Sequence, residues 1–156
     1  GGSESATGTA YFISSVVELP TMLLFARTRR KVSLRTLLLV SAAFFVIRCT
    51  FFLVAGSTLT IYFACSLQLF AYAILALATV YYVTEEIDIA NQAKGQALIY
   101  IISSGPGAAF GSLCAGWLLD SAGVQPMLAF CLGCAAVGAA IMFVSLNPKR
   151  PKGARL

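Results

Sequence analysis

Histidine is absent from the 156 residues, and acid is scarce: six Asp and Glu stand against eleven Lys and Arg. Without histidine the chain has no imidazole base and no His ligand for zinc. No phosphate-binding glycine loop and no nucleophile elbow occurs either. The sequence therefore reads as no enzyme, and no metal or cofactor is expected. Charge of both signs is rare, at 11% of residues against roughly 25% in soluble domains. Gly1 to Ser5 lacks the basic segment of a signal peptide, and no initiator Met stands at the start.

Apolar residues fill that space. They make up 59% of the chain, more than one soluble core of this size can hide. Lipid is thus the expected partner for much of the surface. The net charge of +5 does not call for nucleic acid, because the basic residues sit beside the ends of apolar runs. They lie at Arg27 to Arg35, at Lys94 and at Lys149 to Arg155, with Arg48 the exception. Lys and Arg beside span ends stay on the cytoplasmic side. The five cysteines all fall within apolar runs, and Cys131 and Cys134 read as small packing residues rather than a redox pair.

The fold class that follows is all-α, a polytopic membrane bundle of five helices. The spans are read as 9–26, 36–55, 59–83, 97–119 and 127–146, after a polar external loop at 1–8 and before a basic cytoplasmic tail at 147–156. Alternation puts the N-terminus outside and the C-terminus inside. Ten of the eleven basic residues are then cytoplasmic and Arg48 lies within a span. An odd number of spans with the start outside leads to the expectation that a preceding segment belongs to the protein.

Two charges lie deep in spans, Glu18 and Arg48. Ionisable groups at such depth are costly and mark solute or proton paths. If the first two spans pack as an antiparallel hairpin, the two charges reach similar depth and an ion pair between them is possible. It would serve either as a lock on the hairpin or as a titratable centre. Gln68 and Tyr72 are four residues apart, so a regular helix puts them on one face, for solute contact or for hydrogen bonds between helices. Pro20 favours a kink near Glu18. Gly105, Pro106 and Gly107 should bend the fourth span, and Gly107, Gly111 and Gly116 form a small-residue face for helix packing or a hinge. Glu85, Glu86 and Asp88 face the Arg27–Lys31 cluster across the same side of the membrane.

These residues resemble the C-terminal half of a major facilitator superfamily transporter, in particular the oligosaccharide:proton symporter group around lactose permease. Val17-Glu18-Leu19, the basic loop and Leu37-Leu38-Leu39 leading to Arg48 look like helices eight and nine of that group. Tyr81-Tyr82-Val83 through Ala93-Lys94-Gly95-Gln96-Ala97 resembles the junction of helices ten and eleven, and Gly116 to Gly123 the end of helix eleven. The resemblance implies proton-coupled transport of a sugar or organic acid across the plasma membrane, with a missing N-terminal half as partner. It implies solute contact at Glu18 and a coupling role at Arg48. The group carries a His and a Glu in its tenth helix, where this chain has Gln68 and no acid, so Glu18 becomes the leading coupling residue. The rival reading is a small membrane scaffold or assembly subunit complete at five spans.

Overall fold

The computed structural model describes residues 4–146, and all its regular elements are helical. They are α1 (Glu4–Lys31), α2 (Leu34–Leu53), α3 (Thr58–Ser66), a π-helical turn (Leu69–Ala73), α4 (Ile74–Glu86), α5 (Ile89–Ser104), α6 (Pro106–Ala122) and α7 (Val124–Leu146). Grouped by continuity they give five rods long and apolar enough to cross a membrane. These are α1, α2, the third span Thr58–Glu86, the fourth span Ile89–Ala122, and α7. The protein is an all-α integral membrane bundle.

The helices are longer and the loops shorter than the hydropathy pattern suggests. Residues 4–8, read as an external loop, form the first turns of α1, where the Thr9 hydroxyl donates to the Ser5 carbonyl at 2.9 Å. At its other end α1 continues through Arg27–Lys31, because Arg and Lys are good helix formers and favour a C-terminal turn. Its 28 residues measure roughly 42 Å, so the helix outruns a hydrocarbon core of roughly 30 Å. The connection to α2 shrinks to Val32 and Ser33, with the Ser33 hydroxyl capping α2 by accepting from the Thr36 N–H at 3.2 Å. The acidic stretch 84–96 likewise reduces to Ile87 and Asp88 between α4 and α5. Gly123 alone joins α6 to α7, at a φ of 89° that favours glycine, and its N–H donates to the Leu118 and Leu119 carbonyls. The basic tail at 147–156 lies outside the described residues.

Packing order differs from chain order. The third span lies against both α1 and α2, whereas α1 scarcely touches α2. Ring contacts mark the two seams: Phe25 with Tyr81 at 5.3 Å between α1 and α4, and Phe44 with Phe70 at 4.8 Å between α2 and the π turn. The opposite flank of α2 carries α7, α6 packs on α7, and α5 leans on α4. The core gathers where α1 ends and α2 begins, around Phe25, Leu34, Leu37, Leu38, Ile74 and Ala78. Buried positions 34, 37, 38, 41 and 42 follow the spacing of one helix face. No residue of α5, α6 or α7 is fully buried, so the fourth and fifth spans present apolar flanks outward.

The fourth span is broken in its middle. Pro106 has no N–H to offer the Ile102 carbonyl four residues back. A β-carbon on Gly105 would lie 2.6 Å from the Ile101 carbonyl oxygen, and one on Gly107 would lie 2.7 Å from that of Ile102. The break therefore needs both glycines. Gly111 and Gly116 differ: a β-carbon there meets nothing within 4 Å. Within the described residues the small-residue face is not used for close helix packing.

Candidate functional site

Glu18 sits half-buried on α1, facing the third span rather than α2. The Gln68 Nε2 donates to Glu18 Oε1 at 3.0 Å, while Gln68 Oε1 is buried with no hydrogen-bond partner. Gln68 immediately precedes the π turn, and the side chains around that turn explain how the distortion is held. The Thr21 hydroxyl from α1 donates to the Leu69 carbonyl at 3.4 Å. The buried Ser41 hydroxyl from α2 donates to the Ala71 carbonyl at 2.7 Å. Two neighbouring helices thus serve carbonyls of the irregular turn, and such turns are often found at functional sites. Neither hydroxyl stood out in the sequence, since Ser and Thr inside apolar runs commonly bond to their own helix.

The expected pair of Glu18 with Arg48 is not formed. Glu18 lies 13 residues before the end of α1 and Arg48 lies 14 residues after the start of α2, so their depths do match. The third span stands between the two helices and takes the carboxylate for Gln68. Arg48 makes no ion pair among the described residues. Its guanidinium lies 5.2 Å from the centre of the Phe52 ring, and its Nε is buried without a partner.

Arg48 instead lines an open cleft of about 650 Å³, at the end of the bundle remote from Arg27–Lys31. The walls come from the first turns of α1, the end of α2, the linker to α3 and α3 itself, with Tyr11, Ser14 and Tyr62 among the polar groups. Glu18 lies one helical turn beyond Ser14, and Gln68 lies three residues beyond Cys65, another lining residue. The Glu18–Gln68 pair is therefore placed roughly 5–6 Å further along its helices than Ser14 and Cys65. A smaller apolar pocket of about 300 Å³ adjoins Pro20, Thr21 and Leu69. Pro20 itself leaves α1 unbroken.

Tyr72, four residues beyond Gln68, lies within the π turn. It is 50% exposed, between the buried Ala71 and Ala73, and makes no hydrogen bond to Gln68. At the opposite end of the bundle, Arg29 Nη2 holds both oxygens of Glu85, at 2.6 and 2.8 Å. The facing of the basic and acidic clusters is thus realised as one forked ion pair between α1 and α4. All five cysteines are free thiols.

Comparison with known proteins adds one finding: a family model described as the MFS_1 like family matches residues 1–132. No curated protein and no solved structure matches the chain.

Proposed function

Since the chain belongs to the MFS_1 like family, a family of membrane transporters, we propose that it forms the C-terminal helices of a proton-coupled secondary transporter for a small polar solute. The observation that carries this reading is the amide of Gln68 set against Glu18. An ionised carboxylate accepts from the amide N–H, as here. A protonated carboxyl needs an acceptor for its O–H, and the unpartnered Gln68 Oε1 supplies one after rotation of the amide. Glu18 then has a partner in both protonation states, so neither form of the acid is left without a hydrogen bond. Gln68 stands where the resembled group has acid and histidine.

In this reading the cleft at Arg48 is half of the solute path, and a preceding set of helices supplies the opposite wall. Alternating access rocks one half against the other, with the Gly105–Gly107 break giving the fourth span its freedom to bend. The Arg27–Lys31 end faces the cytoplasm by the positive-inside rule, and the cleft opens to the outside of the plasma membrane.

The test is Glu18→Gln in the complete transporter, reconstituted in vesicles. Glutamine keeps the shape but cannot carry the proton, so gradient-driven uptake falls to the passive background while the unfolding temperature holds within a few degrees. Undiminished uptake in this variant would remove Glu18 from the coupling path.

A further inference from the structure

We propose that the Arg48 cleft is an anion-recognition subsite and that the transported solute is a small hydroxylated carboxylate; the second half rests on the transporter reading above. The first argument is charge. Arg48 is permanently ionised, and an ion at that depth in a membrane helix is costly unless something compensates it. No carboxylate among the described residues does. Arg29 with Glu85 is the one ion pair among these residues, Glu18 is engaged by Gln68, and no carboxylate lines the cleft. Glu4, near the start of α1, is exposed and is not part of the lining.

The second argument is presentation. The Phe52 ring at 5.2 Å steadies the guanidinium. Its Nε is buried, while the two Nη nitrogens make no bond to the described chain and remain accessible at the cleft wall. Two parallel N–H groups on a fixed plane match the two oxygens of a carboxylate. The third argument is size and lining. About 650 Å³ on this side alone leaves room for a small molecule, whose complete sites run to about 300–1,000 Å³. The hydroxyls of Thr7, Tyr11, Ser14 and Tyr62 offer donors and acceptors to the uncharged part of the solute. A neutral sugar would use these hydroxyls but leave the charge unanswered. An anionic lipid headgroup offers the same charge as a solute carboxylate, so the experiment separates the two.

The complete transporter, with its native cysteines replaced and Ser14→Cys introduced, is reconstituted in phosphatidylcholine vesicles. The cysteine is then modified by a sulfonate-bearing or a trimethylammonium-bearing methanethiosulfonate. The anionic reagent reacts faster by about tenfold, as a positive cleft concentrates anions. D-glucuronate slows the reaction and D-glucose, its neutral counterpart, does not. Arg48→Gln abolishes both the charge preference and the protection. Arg48→Lys keeps the preference but weakens protection, because it lacks the planar fork. Equal rates for the two reagents, or equal protection by glucose and glucuronate, overturn the proposal. Blockage by added phosphatidylglycerol with no effect of glucuronate makes this a lipid site and also overturns it. The labelling needs no transport. Selective, glucuronate-protected labelling in a protein without uptake therefore supports the anion site and tells against the transporter reading instead.

Discussion

Glu18 and Gln68 show how little of a polar centre a helix needs to expose for it to matter. One amide meets one carboxylate at 3.0 Å inside an apolar seam. A hydrogen bond to a charged group contributes about 1.5–3 kcal/mol in soluble proteins, and bonds between membrane helices average less, about 0.6 and up to 1.7 kcal/mol. Gln68→Leu removes the partner and leaves the carboxylate stranded, so it should cost about 1–2 kcal/mol, or about 2–8 °C in unfolding temperature. Tyr72→Phe removes a hydroxyl for which no hydrogen bond is seen, from a ring that is half exposed, and should leave that temperature unchanged. Differential scanning fluorimetry of the two variants side by side checks the contrast. An equal drop for both would mean that the seam is not where the structure puts it.

At the scale of the element, the irregular stretches are the informative ones. The third span is interrupted by a π turn whose carbonyls are served by Thr21 and Ser41. The fourth is interrupted at Gly105. The glycines of the fourth span divide into two kinds by what surrounds them. Gly107→Ala forces a methyl to 2.7 Å from a backbone oxygen and should destabilise by about 1–3 kcal/mol. Gly111→Ala meets open space and should be neutral or stabilising by up to about 1 kcal/mol, from helix propensity alone. Thermal unfolding of the two variants separates them. If both behave alike, the break at Gly105 is not built as described.

For the whole molecule, the consequence is the insertion of the third span between α1 and α2. It removes the hairpin that a two-residue connection invites, and it sends Glu18 and Arg48 to different neighbours. Paired cysteines read this directly. Thr21→Cys with Leu69→Cys, and Ser41→Cys with Ala71→Cys, replace contacts of 3.4 and 2.7 Å between a short side chain and a backbone carbonyl. Such contacts hold the two helix backbones close together, and a disulfide forms where Cα atoms lie about 4.4–6.8 Å apart. Copper-phenanthroline oxidation in an otherwise cysteine-free protein should cross-link both. Failure of the second pair alone would place α2 elsewhere. The forked pair of Arg29 and Glu85 adds a polar clip at the far end, but both side chains are partly solvated, so its contribution stays below about 1 kcal/mol.

Much of this architecture was legible in the chain itself. Five apolar runs, a basic cluster at their ends and two isolated charges suffice for an all-α membrane bundle, because hydrocarbon tolerates only backbone that satisfies itself. The break at Gly105-Pro106-Gly107 was readable too, since Pro has no N–H to give. The positions of Glu18, Gln68 and Arg48 were marked by polarity in apolar surroundings. Their partners were not. Which helix lies against which depends on side-chain fit between rods that are equally greasy on most faces, and hydropathy carries no information about that choice. Sequence spacing also assumes a regular helix, so the π turn was invisible until Thr21 and Ser41 were seen to support it. Composition and periodicity determined the solvent, the class and the span count. Tertiary packing alone decided that the half-buried acid answers to an amide and that Arg48 has no ion-pair partner among the described residues and lines an open cleft.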